Sequence, residues 1–348
     1  MNRNIAFSLV MLLMALFSGC KNSSNQKPSV TGAMGEVLVI MDDKWRNGPA
    51  GDALQTILKQ PMEGLPQPEA IFSVSITPHR AFTGALRTRR NLVVVNIGAD
   101  VEKEGVRFFS ESSWARGQAM LHIDAQTPEK FIEVVEKNEL RIVAFLLRAE
   151  RRRSLAYYTR YPEAELMEDL EKQWNFSMVV PNSFQKNKSS ETFTWLSSET
   201  SELSQGLMIY SFPYIGEGTF SREYLLNKRD SVLRQNMPGP SEGSYMCSEH
   251  ELPITYKSFT LNGHPTVELR GLWKVVGDLM GGPFVLFAHH DAANNRVVVT
   301  DAYVYYPDEP KKRNYVWQLE SLFHSVKFAD GEAEDAPSPE DLAEVREE

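Results

Sequence analysis

The hydrophobic pattern of residues 34–174 predicts strands that alternate with helices. Mostly apolar or alternating runs, typical of buried strands, lie at 36–41, 72–76, 92–97 and 119–123. Helical spacing of apolar residues marks 51–59, 139–161 and 163–174. A further helix opens at Thr127-Pro128-Glu129, where a capping residue, a proline and an acid follow each other. We therefore expect an N-terminal α/β layer domain over residues 34–174.

After Trp174 the pattern changes to strands with few helices. The predicted strands lie at 176–180, 192–197, 207–212, 254–261, 266–274, 284–290 and 296–305. Helices are expected at 222–235 and 314–326, and Asn262-Gly263 predicts a hairpin turn. This order predicts an antiparallel sheet covered by helices over residues 175–328, and it loosely resembles the PsbP and Mog1 type of sandwich. The fold class expected for the whole chain is α+β.

The helix predicted at 139–161 combines an apolar stripe with a series of arginines. Leu140, Val143, Ala144 and Leu147 are spaced to form the stripe. The arginines beyond it are Arg148, Arg151, Arg152, Arg153 and Arg160. Guanidinium groups bind phosphate or carboxylate through paired hydrogen bonds, so these residues are candidates for binding an anionic ligand or a lipid headgroup. The alternative is a solvated helix face with ion pairs, because several acids lie close in sequence.

The N-terminus has the pattern of a bacterial lipoprotein signal. Arg3 precedes an apolar run at 5–17, which is too short to span a bilayer, and Ser18-Gly19-Cys20 follows. This arrangement resembles the lipobox, which implies cleavage after residue 19 and lipid chains on Cys20. The polar residues 20–33 are expected to form a tether. Lys21 favours an outer-membrane location facing the periplasm, and the alternative reading is an ordinary secretory signal.

Charge is concentrated at the C-terminus. The chain carries a net charge of −9; residues 329–348 contain nine acids and one arginine. Because Arg3 is the single charge of the signal, residues 20–328 carry a net −2, which argues against nucleic acid as a partner. The acidic tail is expected to be disordered and solvating, or else to bind a basic partner.

Cys247 has no second cysteine to pair with once Cys20 is lipidated, so it is read as a buried apolar residue or a reactive thiol.

No local motif of catalysis is present, and the nearest candidate is His289-His290-Asp291. Neighbouring residues on a strand point to opposite faces, so the two histidines do not easily share a metal ion. A metal site would need His250 or His264 as well. The alternative is a pair of ordinary histidines at a strand end. We predict no cofactor, no metal ligand and no catalytic residue.

A loop rich in glycine and proline offers a second candidate site. Exposed amides in such a loop can hold an anion, and the candidate residues are Gly239, Gly243, Ser244 and Tyr245. The alternative is a structural crossover loop.

Nearby, Asp230-Ser231-Val232 resembles a short glycan-acceptor pattern, which leaves modification of Ser231 open. We further expect a tight turn at 281–283 and a buried Arg270 paired with Asp230.

Several motifs together resemble a family of Bacteroidetes-type envelope lipoproteins whose domain has no known function. They are Arg229-Asp230, Pro238-Gly239-Pro240, Gly243-Ser244-Tyr245-Met246, Arg270-Gly271-Leu272-Trp273, Met280-Gly281-Gly282-Pro283-Phe284, Tyr303-Val304-Tyr305 and Lys312-Arg313. The resemblance implies location and architecture, and it brings no activity or cofactor. We expect a non-enzymatic binding or assembly component, anchored in the membrane through Cys20, with another envelope protein as partner. The alternative is an envelope hydrolase or metal-assisted enzyme with a site near residues 289–291.

Overall fold

The computed structural model describes residues 27–109 and 114–329. The predicted signal, the lipidation site Cys20 and the first half of the tether, residues 20–26, lie outside the described residues, as does the acidic tail beyond residue 329. Of the helices in the described part of the chain, none combines the length and the apolar character that crossing a bilayer requires.

The N-terminal half is a five-stranded sheet with helices packed on it. Its strands are β1 (Glu36–Ile40), β2 (Ser73–Thr77), β3 (Asn91–Ile97), β4 (Gly105–Phe109) and β5 (Ala119–Ala125), in the order β2-β1-β3-β5-β4. All pairings are parallel except that of β4 with β5. The helices are α1 (Asp43–Arg46), α2 (Pro49–Leu58), α3 (Pro128–Lys137), α4 (Glu139–Tyr158) and α5 (Ala164–Trp174). Short 3-10 turns occupy His79–Ala81 and Gly84–Thr88. The four predicted strands are confirmed.

The C-terminal half is built on an antiparallel sheet of eight strands. They are β7 (Gln185–Ser190), β8 (Phe193–Glu199), β9 (Ser204–Pro213), β10 (Tyr245–Ser248), β11 (Thr255–Leu261), β12 (His264–Val276), β13 (Gly281–Asp291) and β14 (Arg296–Tyr305). Their order is β10-β12-β13-β14-β9-β8-β7, and β11 pairs with the first part of β12. The helices α6 (Arg222–Asn236) and α7 (Arg313–Phe323) pack on this half, and β6 (Phe176–Ser177) pairs with β15 (Lys327–Phe328). The predicted α+β fold class is confirmed.

The sequence prediction missed the strands β4, β7 and β10, and it placed one turn wrongly. The edge strands β4 and β7 were not expected, since their residues are largely half-exposed or exposed and carry no buried apolar pattern. The turn expected at 281–283 belongs to β13, where Gly282 lies opposite Trp273. A Cβ atom at Gly282 would lie 2.1 Å from the Val304 carbonyl oxygen, so glycine is needed here for close strand approach rather than for a turn.

Helix α7 joins the two sheets through one hydrophobic core. Its buried apolar side chains belong to the same cluster as residues of β1, β3 and β5 on one side and of β9, β13 and β14 on the other. The ring of Trp317 lies 5.9 Å from that of Phe72 in the N-terminal half. The two halves are therefore held together by the apolar surface that they bury against each other. Such burial stabilises the folded state by about 25 cal/mol for each Å² of apolar surface removed from water.

A buried ion pair fixes helix α6 to the C-terminal sheet. Arg229 Nε lies 2.8 Å from Asp301 Oδ2, Arg229 Nη1 donates to Ser248 Oγ, and the guanidinium stacks 3.8 Å from the centre of the Phe284 ring. Both side chains are fully buried. Burial raises the pKa of Asp301 to about 6 in spite of the opposing charge of Arg229. The pair orients α6, because removal of either partner would leave a buried charge uncompensated.

His289 is also fully buried, between the hydroxyl groups of two threonines. Its Nδ1 lies 3.2 Å from Thr266 Oγ1, and its Nε2 lies 3.3 Å from Thr300 Oγ1. Burial lowers the pKa of His289 to about 3, with smaller contributions from His264 and His324. In the unfolded chain a histidine titrates near 6.5. As the pH falls below 6.5, His289 therefore binds a proton in the unfolded state but stays neutral in the folded state.

We predict that His289→Gln reduces the pH dependence of stability between pH 6.5 and 4. Each histidine that is buried neutral contributes a slope of up to about 1.4 kcal/mol per pH unit in this window, with stability lost as the pH falls. The free energy of unfolding, measured by urea denaturation at several pH values, checks this. Equal slopes for the variant and the unsubstituted protein would contradict the role assigned to His289.

Candidate functional site

A cleft of about 330 Å³ lies where the two halves meet. Its walls come from five parts of the fold: the segment 60–63, Ile71 before β2, helix α4, strands β11 and β12, and helix α7. These elements are distant in sequence, so the cleft exists only in the folded chain. Clefts between domains that bring apolar walls and a few polar groups together are a common location for binding sites.

One wall of the cleft is apolar. Leu140, Val143 and Leu147 line it from α4, and Trp317 lines it from α7. Leu140 is 80% exposed, which is unusual for a leucine in the first turn of a helix beside a cleft. The stripe predicted from the sequence thus faces the cleft, while α4 packs against the core through Ile142, Phe145, Leu146 and Ala149.

The floor of the cleft is a network of charges shared by both halves. Arg270 bonds both oxygens of Glu268, with Nε–Oε1 and Nη2–Oε2 distances of 2.5 and 2.9 Å. Arg270 Nη2 also lies 2.9 Å from Glu320 Oε2, and Arg151 Nη2 lies 2.9 Å from Glu320 Oε1. Glu320 on α7 is therefore held between an arginine of each half. The predicted partner of Arg270, Asp230, is wrong: Asp230 bonds the Ser248 amide and His250.

The arginines determine the charge state of this floor. Burial alone would raise the pKa of Glu320, but the positive charges of Arg270 and Arg151 hold it well below its usual range. Burial would likewise lower the pKa of Arg270, yet Glu268 and Glu320 raise it above its ordinary value. His324 lies beside them, and burial lowers its pKa to about 4. Near neutral pH the network therefore consists of fixed ions and a neutral histidine.

A second network surrounds Glu150, which also lines the cleft. Its Oε2 lies 2.7 Å from Arg90 Nη2, and its Oε1 lies 2.9 Å from Arg153 Nη2. Asn91 Nδ2 and the Gly35 amide donate to the same carboxylate. At the rim, Glu63 pairs with Lys257 at 3.1 Å. All four carboxylates that line the cleft, Glu63, Glu150, Glu268 and Glu320, are thus neutralised by neighbouring cations.

The five arginines predicted as an anion-binding patch do not form one surface. Arg151 faces the cleft and Glu320, whereas Arg153 turns to Glu150 and donates to Asn91 Oδ1 at 2.7 Å. Arg148 is half-buried, and burial together with Arg151 and Arg152 lowers its pKa. Arg152 and Arg160 are exposed. The pattern predicted the residues of α4 that carry charge, but it did not predict that two of them are used to neutralise buried glutamates.

The glycine-rich loop is closed by its own hydrogen bonds. The Gly239 amide donates to the Ser244 carbonyl, and the Ser241 amide donates to Ser244 Oγ and Asp278 Oδ2. A Cβ atom at Gly239 would lie 2.3 Å from Ser244 Oγ, and Gly243 has a φ of +77°. Tyr245 begins β10. These contacts fit the crossover interpretation better than the ligand-cradle interpretation.

The residues of the alternative enzymatic site do not converge. His289 is enclosed by Thr266 and Thr300, as described above, whereas the ring of His290 lies 4.4 Å from that of Tyr214. Asp291 is buried and bonds Arg296 Nε at 2.6 Å. Within residues 27–109 and 114–329, no three His, Cys, Asp or Glu side chains are grouped as a metal site requires. The three residues thus serve three separate contacts.

The remaining candidate residues, Ser231 on α6 and Cys247 on β10, line one shallow pocket. Ser231 is exposed on this helix. Cys247 is buried, and burial, followed by the negative charge of Asp230, raises the pKa of its thiol. A raised pKa disfavours the thiolate, which is the reactive form. The structure therefore supports the reading of Cys247 as a buried apolar residue.

Two regions of the chain match known sequence profiles. Residues 163–325 match a domain of unknown function (DUF4837), and residues 30–159 match a second domain of unknown function (DUF8532). No curated protein sequence matches the chain. These matches are consistent with an uncharacterised family.

Solved structures resemble part of the fold at low scores. A mutant of the protein Mog1 is 12% identical, with a TM-score of 0.31, and covers 45% of this chain and 92% of its own. The Ran-binding protein Mog1p of Saccharomyces cerevisiae is 10% identical, with a TM-score of 0.30, over 45% and 91%. LpqN, involved in cell envelope biogenesis of Mycobacterium tuberculosis, is 12% identical, with a TM-score of 0.27, over 48% and 97%. The loose likeness to Mog1 expected from the order of elements is thus found.

Proposed function

We propose that the protein is a lipoprotein of the cell envelope that binds a segment of another envelope protein in the cleft between its halves. In this proposal Cys20 carries the lipid chains, and the body faces the periplasm from the outer membrane. The protein belongs, on this view, to a Bacteroidetes-type lipoprotein family. It acts by binding and assembly rather than by catalysis.

The anchor is supported by the arrangement of residues 1–20. A charged start, an apolar run of thirteen residues and Ser18-Gly19-Cys20 are what a lipoprotein signal requires. Each buried CH₂ group contributes about 0.8 kcal/mol, so that two or three acyl chains hold a protein on a membrane durably while one does not.

One observation carries the choice of binding over catalysis: the four carboxylates of the cleft are all paired with arginine or lysine. A general acid or base works best with a pKa near the operating pH. Glu320 is instead held ionised, and His324 is held neutral. The groups of the cleft are therefore suited to hold a fixed shape and charge distribution.

The apolar wall supports a protein segment as the ligand. Leu140 is exposed beside half-buried Leu147 and the edge of Trp317. Burial of a leucine-sized side chain against such a wall contributes about 1.5–3 kcal/mol. The ionised groups below can bond the polar backbone of a peptide, since charged hydrogen bonds are stronger than neutral ones.

We predict that Cys20→Ser releases the protein from the envelope membranes into the soluble fraction. The reason is the loss of the acyl chains, and the measurement is membrane fractionation with mass spectrometry of the N-terminal peptide. Cys247→Ser is the matched control, because it removes the only other cysteine and leaves the anchor intact. Full retention of the Cys20→Ser protein in the membrane fraction would contradict the anchor.

We also predict that a photo-crosslinking amino acid at Leu140 captures a specific envelope protein in living cells. The same substitution at Leu279 is the control, because Leu279 is fully exposed but distant from the cleft. Leu140→Glu, introduced together with a crosslinker at Lys257 in the cleft, should abolish capture from that second position. Identical crosslinked products from positions 140 and 279 would show that the cleft has no selective partner.

A further inference from the structure

The described chain begins at a fixed point on the N-terminal half. The Arg116 amide donates to the Pro28 carbonyl at 2.8 Å, and the Thr31 amide donates to the Thr88 carbonyl at 2.8 Å. The Arg90 amide closes this arrangement by donating to the Thr31 carbonyl at 3.1 Å. Residues 28–31 are thus held between the segments that contain Thr88 and Arg116.

The length of chain before this point limits how far the body can stand from the membrane. Six residues lie between Cys20 and Lys27, so the chain takes seven residue steps from one to the other. An extended chain spans at most about 3.3–3.6 Å per residue, so these residues reach about 25 Å. If Cys20 is lipidated, as the proposed function requires, the surface around Lys27 lies within that distance of the bilayer.

This surface is rich in arginine. Arg87 and Arg116 lie beside the residues that hold the start of the chain, and both are exposed. Helix α4 contacts the segment next to Arg116, because Arg153 Nη1 donates to the Gly117 carbonyl at 2.7 Å. Arg152, the neighbour of Arg153 on this helix, is also exposed.

Two carboxylates near this surface, in the part of the chain that the structure describes, are already paired. Glu36 pairs with Arg89 at 3.0 Å, and Glu150 pairs with both Arg90 and Arg153. Among the described residues, Arg87, Arg116 and Arg152 have no carboxylate within 4 Å. Arg116 Nη2 makes a neutral contact with Ser29 Oγ at 3.4 Å. No described carboxylate compensates the three positive charges, so they can attract an anionic surface.

Two exposed tyrosines continue this surface along α4. Tyr157 follows Arg153 by four residues, one helical turn beyond the contact of Arg153 with Gly117. Tyr157 and Tyr161 are 59% and 53% exposed, and their ring centres lie 5.5 Å apart. Tyrosine has an apolar ring and a polar tip, which suits it to the boundary between water and lipid.

We propose that the face formed by Arg87, Arg116, Arg152, Tyr157 and Tyr161, the tether face, rests on the anionic phospholipid headgroups of the membrane in which Cys20 is anchored. The arginines bond phosphate groups, and the tyrosine rings lie at headgroup level. The short tether and the basic surface act together, since the tether holds this face near the charges that attract it. The orientation of the whole body is then fixed relative to the bilayer.

The test uses the full lipidated protein in nanodiscs of phosphatidylcholine alone and of phosphatidylcholine mixed with phosphatidylglycerol. Hydrogen exchange is followed by mass spectrometry for the peptides around residues 84–90, 114–118 and 150–161. We expect slower exchange of these peptides in the anionic discs only, and loss of the difference at high salt because salt screens the attraction.

Charge reversal distinguishes the tether face from other basic surfaces. Arg116→Glu with Arg152→Glu should abolish the difference between the two kinds of disc. Arg222→Glu with Arg234→Glu, at two exposed arginines of α6, changes the total charge equally and should leave the difference intact. Tyr157→Ser with Tyr161→Ser, which changes no charge, should weaken the protection.

The outcomes separate this inference from the proposed anchor. A protein that stays on the discs but shows the same exchange in both kinds would overturn the docking of the tether face while leaving the anchor in place. Protection that is equally strong without anionic lipid, as contact between two copies on one disc would give, would overturn it as well. A protein that does not remain on any disc would contradict the anchor itself.

Discussion

The structure depends on one carboxylate held between two arginines from different halves of the chain. Glu320 lies on α7, Arg151 on α4 and Arg270 on β12, and both guanidinium groups lie 2.9 Å from the carboxylate oxygens. Removal of one member of such a buried group leaves an uncompensated charge, which costs about 3–5 kcal/mol. Apolar burial around Trp317 holds the halves together, whereas this network determines how they face each other. The shape and charge of the cleft follow from it.

The same network is the reason why we propose a binding protein rather than an enzyme. Paired charges in a buried site are poor general acids or bases, but they can form strong hydrogen bonds with a ligand. The apolar stripe of α4 that faces the cleft would be a liability in water unless something covers it, and Leu140 is its most exposed member. Further along the same helix, Arg153 joins α4 to the surface from which the tether leaves. Helix α4 thus connects the proposed partner site with the proposed membrane face.

Much of the fold could be predicted from the sequence because its strands are mostly apolar or alternating. The runs at β1, β3 and β5, the hairpin at Asn262-Gly263 and the cap at Thr127 were read directly from residue types, and all are present. Polar edge strands such as β7 were missed, because pairing with a neighbour rather than burial defines them. The cleft could not be predicted either. Glu150, Glu268 and Glu320 come from three distant elements, and only Arg270, flanked by apolar residues on its strand, signalled a buried charge.

The central claim is that the Glu320 network shapes a cleft that binds a partner. It is tested most directly by the yield of partner captured from a photo-crosslinker at Leu140 in the Glu320→Gln protein. A folded Glu320→Gln protein, checked by circular dichroism and by membrane retention, should lose most of the capture. The reason is that the neutral amide removes the negative charge that holds Arg151 and Arg270 together. Undiminished capture by the folded variant would contradict the account.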